Sequence, residues 1–217
     1  MKDNSIKIKS PVLLFLLIPA VQVVSDLRYF DSYYQIISSI IFISSDFILS
    51  LLLYNISKYF ADKNSRTIQL LYFAVLTVLD QGNKLFLELT NLNCRIIGEL
   101  FQIRQTRNVN QIAFLNHFQI SIDIEIIISF KIILFVLVTL AFFKAKNKYF
   151  SSGCVLLMAA QLSNTIDSCL RGYVLDSFYY YRLVCYDLKD YYVDAGVIMI
   201  AFYFISRQTA NKTKSDV

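Results

Sequence analysis

Long apolar blocks alternate with short basic segments along the whole chain. The blocks lie at 11–24, 36–56, 68–79, 124–143, 150–166 and 191–205. A helix rises 1.5 Å per residue and the hydrocarbon core is about 30 Å thick, so runs of this kind, with their flanks, read as membrane-spanning helices. The block at 68–79 starts a span that runs on into VLDQGNKLFLE. The first block follows Lys2, Lys7 and Lys9, which also fits a secretory signal. Pro19 inside the run and the lack of a small-x-small site favour a short or kinked uncleaved span. Between the third and fourth blocks, 89–123 is too hydrophilic to span, and is expected to form a small structure outside the bilayer. The pattern thus predicts an all-α integral membrane protein of about six spans.

Composition sharpens this picture. Of 217 residues 56% are hydrophobic, with a mean hydropathy of +0.51, which excludes an ordinary soluble domain. The net charge of +5 does not point to nucleic acid, because the Lys and Arg residues sit between apolar blocks. Placing both termini, the 58–66 connector and the 144–148 turn in the cytoplasm gathers most of them on one side. The segment 89–123 and the connection between the last two spans then face outward. Cys94, Cys154, Cys169 and Cys185 show no metal-ligand spacing and His117 has no evident partner, so neither metal nor cofactor is expected. Cys169 and Cys185 both fall near the last connection. A disulfide is conceivable there, but two unpaired small hydrophobes are the favoured reading.

Polar residues within the blocks are the chemical candidates, because a charge beside hydrocarbon is expensive. Asp46 interrupts the second block, where serines such as Ser44 and Ser45 or a neighbouring helix would satisfy it. Asp80 and Lys84 are one helical turn apart and read as an ion pair on one face. Lys131 is expected to snorkel or to pair with a carboxylate. The densest cluster is 164–196, NTIDSCLRGYVLDSFYYYRLVCYDLKDYYVDAG, with Asp167, Asp176, Asp187, Asp190 and Asp194. Asp176 and Asp190 lie at opposite ends of a connection between antiparallel spans, so a turn-back brings them together. Two carboxylates sharing one proton can activate a water and protonate a leaving amine. The SFYYYRL run reads as an interfacial aromatic belt rather than a ligand box.

The same residues carry a family resemblance. Asn-x-x-Asp at Asn164 and Asp167, Gly-x-Val-x-Asp at Gly172, Val174 and Asp176, and Tyr186, Asp187, Asp190 followed by Gly196 resemble the C-terminal motifs of lipoprotein signal peptidase, signal peptidase II. Asp80 and Lys84 resemble its first motif. Asn108 and Phe114 stand in the place of its Asn-x-Gly-Ala-Ala-Phe motif, with Asn110 where Gly is usual. The resemblance covers about 68–207. It implies a four-span peptidase core at 67–217 with a small strand-containing extracytoplasmic platform, behind an N-terminal extension, 1–66, of two apolar spans. It further implies an aspartic endopeptidase of the cell membrane, with Asp176 and Asp190 catalytic. Asp80, Lys84, Asn108, Asn164, Asp167, Gly172 and Asp187 would support the site or bind substrate. The implied partners are membrane lipids and prolipoproteins whose lipobox cysteine carries diacylglycerol, cut just before that cysteine. Three positions depart from the pattern. Ser168 replaces the arginine of Asn-x-x-Asp-Arg, and Asp187 and Lys189 replace Asn and Ala of Phe-Asn-x-Ala-Asp. Arg171 and Arg182 are candidates to replace the missing arginine. The competing readings are an inactive relative that binds signal peptides, and a small transporter or scaffold.

Overall fold

The computed structural model describes residues 15–17, 19–21, 23, 33–63, 65–109 and 122–215, without the side chains of 209–215. Half of the block at 11–24, together with Asn110, Phe114 and His117, lies outside these residues. The described chain forms α1 (Tyr33–Asp62), α2 (Arg66–Thr90), β1 (Asn93–Ile97), β2 (Phe101–Asn108), α3 (Ile124–Lys144), α4 (Lys148–Arg171), β3 (Val174–Tyr180), β4 (Val184–Tyr186) and α5 (Leu188–Ser215).

The helices are built for lipid rather than water. α1 turns Gln35, Ser38, Ser39, Asp46, Ser50 and Ser57 inward and leaves Ile36, Ile40, Ile48 and Leu52 exposed. In a bilayer that inversion is favourable, since hydrocarbon solvates the aliphatic face and only the protein can satisfy the polar one. α1, α2 and α3 are long and apolar enough to cross a membrane. The blocks at 150–166 and 191–205 fall inside α4 and α5, and α4 buries Ser151, Ser152, Ser163, Asp167 and Ser168. These two helices approach closely at glycines. A Cβ on Gly153 would meet the Gly196 carbonyl oxygen at 2.9 Å, and one on Gly196 would meet the Gly153 carbonyl oxygen at 3.0 Å. The small-residue seam expected from the sequence is therefore a packing surface.

The two basic connectors meet at one end of the bundle. Arg66 donates to the Phe142 carbonyl at 2.6 Å and to the Ser151 hydroxyl at 3.1 Å, and Lys148 pairs with Asp62. The opposite end carries an antiparallel sheet of order β1-β2-β3-β4. Its register sets Thr106 opposite Asp176 and Asn108 opposite Val174. The strand-containing platform expected outside the bilayer is thus present. The last connection, read from the sequence as a turn-back between antiparallel spans, is a β3–β4 hairpin. The YYY run belongs to it. Tyr180 is fully buried in the core instead of lying in an interfacial belt, because its hydroxyl meets Ser45 at 2.7 Å and Tyr191 at 2.9 Å.

Candidate active site

Each site carboxylate owes its position to a local backbone device. Gly172 closes α4 in the left-handed conformation, φ 73°, and its N–H bonds the Ser168 carbonyl at 3.2 Å. A residue with a Cβ resists that conformation. The reversal starts β3 two residues later and delivers Asp176 into the interior face of the sheet, 4% exposed. Asp187 and Asp190 are fixed by a reciprocal cap at the start of α5. The Asp187 N–H donates to Asp190 Oδ2 at 2.9 Å, and the Asp190 N–H donates to Asp187 Oδ1 at 3.3 Å. This is the logic of a capping box, so the Asp-x-x-Asp spacing also serves helix initiation. The outcome is that carboxylate oxygens of Asp176, Asp187 and Asp190 all lie within 4.8 Å of one another.

Two ammonium groups balance this charge in part. Lys84, with no exposed surface, reaches Asp80 at 2.7 Å, Asp167 at 2.6 Å and Asp187 at 2.8 Å. The helical pair Asp80–Lys84 expected from the sequence is thus one edge of a larger network. Lys189 is buried as well, paired with Asp187 and 4.0 Å from Asp176. Its backbone N–H also donates to Asp80 Oδ1 at 3.1 Å. Such a tight array is tolerable when buried only because nearly every charge has a partner. The three converging carboxylates have the donor chemistry of a hard cation site, yet the Lys189 ammonium already brings positive charge to Asp187 and Asp176.

The surrounding polar groups hold this array in register. Gln81 donates to Asp167 Oδ1 at 3.0 Å, and Ser163 donates to Asp80. Arg171 binds Glu88 through two nitrogens, each at 3.0 Å, and reaches Asp167 at 3.1 Å. Of the two candidates to replace the motif arginine, Arg171 therefore does contact the cluster. Arg182 sits on the exposed hairpin turn, beside the Tyr181 ring. A further cation stands at Ser168 itself: Lys131 Nζ donates to the Ser168 hydroxyl at 2.6 Å and to Asn164 Oδ1 at 2.9 Å. Asn108 lies on the same face of the sheet as Asp176, two positions along from its Thr106 partner.

Burial and charge set the protonation of the site. Asp176 is raised to about 7, first by burial and then by Asp187 and Asp167, against the lowering effect of Lys189 and Lys84. Asp187 is also desolvated, but Lys189 and Lys84 more than offset this and hold it down to about 2. Asp190 is raised well above the usual carboxylate range, first by burial and then by the charges of Asp187 and Asp176, against the lowering effect of Lys189. Protons therefore stay with Asp176 and Asp190 while Asp187 stands ionised beside them. The four cysteines are free thiols, and burial pushes Cys185 up to about 11.

Comparison with known proteins settles the family. A sequence model of signal peptidase II matches residues 72–206, well over half of the chain. The chain belongs to the signal peptidase II family. The family is one of aspartic peptidases that process lipoproteins in membranes. Two solved structures, each described as a bacterial membrane enzyme, share the fold. One, at 2.3 Å resolution, has a TM-score of 0.59 at 22% identity, over 68% of this chain and 92% of that one. The other, at 1.9 Å, has a TM-score of 0.56 at 21% identity, over 64% and 93%. No curated protein gives a significant match.

Proposed function

We propose that the protein is a membrane aspartic endopeptidase that removes the signal peptide from diacylglyceryl-modified prolipoproteins, cutting before the lipid-carrying cysteine. The observation that carries this reading is the convergence of Asp176 and Asp190, from two different elements, in a buried site with Asp187 between two lysines. In this reading the ionised member of the pair takes a proton from a water, which attacks the scissile carbonyl. The protonated member gives its proton to the departing amide nitrogen. Lys84 and Lys189 hold Asp187 ionised, so that its charge keeps the proton in the pair. Asp80, Asn164 and Asp167 orient these groups, Gly172 aims β3, and Asn108 belongs to the substrate-facing edge of the sheet.

The same geometry supports a location for the site. Lys84 lies 18 residues along α2 from Arg66, or about 27 Å at helical rise, so the cluster is nearly a bilayer thickness from the basic connectors. With those connectors cytoplasmic, the site lies near the extracytoplasmic face of the cell membrane. A diacylglyceryl anchor would hold the scissile bond at that depth, giving the positioning that an isolated water attack lacks. The deciding test is cleavage of a diacylglyceryl-modified prolipoprotein in detergent by wild type, Asp176→Asn and Asp190→Asn, scored by gel shift. Cleavage by wild type with loss in both variants supports the reading. An inert wild type across several substrates would shift it to a signal-peptide-binding relative.

A further inference from the structure

The N-terminal helix α1 ends before the family match begins at residue 72, yet one of its turns touches the neighbours of all three converging carboxylates. Phe42, Ser45 and Asp46 are spaced i, i+3, i+4 and share a face. The Phe42 ring stands edge-on to Tyr180 and to Tyr186, each at 5.1 Å between centroids. The Ser45 hydroxyl bonds the Tyr180 hydroxyl at 2.7 Å, and Tyr180 bonds Tyr191 at 2.9 Å. Asp46 accepts from Ser50 at 3.0 Å and is hydrogen-bonded to the Asp194 carboxyl, which in turn accepts from the Tyr186 hydroxyl at 2.8 Å. These tyrosines are placed with purpose in the sequence. Tyr186 precedes Asp187, Tyr191 follows Asp190, and Tyr180 lies four residues after Asp176 on the same strand.

We propose that the Phe42–Asp46 turn is a positioning element of the active site, acting through Tyr180, Tyr186 and Tyr191 to set the spacing of Asp176, Asp187 and Asp190. This rests on the peptidase reading for its catalytic consequence. The contacts are of the right kind for such a role. Two carboxyl groups in a hydrogen bond must hold a proton between them, because an ionised carboxylate only accepts. The Asp46–Asp194 link therefore joins α1 to α5 through a single shared proton, and Tyr186 extends it to the strand that leads into Asp187. Both partners are at least 95% buried, so a hydrocarbon side chain at either position leaves the other unpaired with no water to replace it. An amide at position 46 keeps both the bond and the single negative charge of the pair.

The test compares Ser45→Ala, Asp46→Leu, Asp46→Asn and Ser57→Ala in the full-length protein in detergent. Ser57 bonds the Tyr72 hydroxyl at 3.1 Å on the same helix, three turns from Asp46 and away from the carboxylates, so it reports a general loss of helix docking. The expected result for Ser45→Ala and Asp46→Leu is a fall in kcat of about tenfold or more, with KM within twofold, since misplaced reacting groups slow chemistry rather than binding. Amide hydrogen exchange across 174–194 should quicken in the same two variants. Asp46→Asn should stay near wild type in both measurements, and so should Ser57→Ala. Unchanged exchange and kcat in Asp46→Leu, an equal loss in Ser57→Ala, or a loss confined to KM would each overturn the proposal. If the wild type cleaves no prolipoprotein, the peptidase reading fails, and the exchange comparison alone still decides whether α1 sets the geometry of this site.

Discussion

Lys131 Nζ lies 2.6 Å from the hydroxyl of Ser168, and the two residues come from helices 37 positions apart in the chain. Ser168 stands where the family pattern of Asn-x-x-Asp-Arg carries its arginine, so a cation absent from that position is supplied sideways by Lys131 of α3, alongside Arg171 of α4 on Asp167. Lys131→Met should strand the Asn164 and Ser168 acceptors in a buried seam. A loss of about 1–3 kcal/mol in stability is expected from such an unmet bond, read as a lowered Tm in detergent. The double variant Lys131→Met, Ser168→Arg should recover part of both stability and cleavage. A double variant no better than Lys131→Met alone would show that the two positions do not exchange a charge.

The Asp176–Asp190 pair gives the sharpest catalytic expectation. Asp176→Asn and Asp190→Asn each remove one acid–base group while keeping the volume of the side chain. Cleavage of a lipidated prolipoprotein should drop by roughly 10²–10⁴-fold in either, with substrate capture largely retained. Because both residues act on one proton, the double variant should be little worse than the singles. Retained cleavage in Asp176→Asn would rule out the paired-carboxylate mechanism.

Much of this site was legible in the sequence. Hydrophobic run length placed five of the helices, and Asp176, Asp190, Asp80 and Lys84 stood out as charges beside hydrocarbon. The Asp187–Asp190 cap was also readable in DLKD, since a capping residue followed three positions later by a carboxylate is a helix-start signal. Other features lacked a local signature. The pairing of Lys131 with Asn164 and Ser168 depends on helix rotation, which a span as uniformly apolar as α3 leaves undetermined. Lys189 gave no sign of facing inward until Asp187 and Asp176 were seen around it. Ser45 and Asp46 looked like isolated polar residues because their partners, Tyr180 and Asp194, lie more than 130 positions away. The strands β1 and β2 were expected only through the family resemblance, because a partly or largely exposed platform strand shows no clean alternation of its own.

The Gly153–Gly196 contact predicts a steric limit on the α4–α5 crossing. A methyl group at Gly153 would sit 2.7 Å from Ile200 Cγ1 and 2.9 Å from the Gly196 carbonyl oxygen. The isoleucine can turn away, but the backbone oxygen can move only with its helix. Gly153→Ala should therefore lower stability by about 1–3 kcal/mol. Since α5 carries Asp190, the same variant should lower cleavage at temperatures below its melting point. Thermal unfolding in detergent that matches wild type would refute the close approach.

The pH dependence of cleavage follows from the raised Asp176. An isolated aspartate ionises near 4, whereas burial, Asp187 and Asp167 keep a proton on Asp176 up to about 7 in the folded protein. Below that value the pair lacks a carboxylate able to draw a proton from water. Ionisation of Asp176 as pH rises through about 7 creates the singly charged pair, so kcat/KM should climb on the acid side with a midpoint near 7. Lys189 lowers Asp176, and its removal must move the midpoint upward. Lys189→Gln should accordingly need a more alkaline pH to reach half-maximal activity, while Asp176→Asn should abolish the limb along with the activity. A wild-type midpoint near 4, or a Lys189→Gln midpoint shifted toward acid, would place the controlling ionisation on another group.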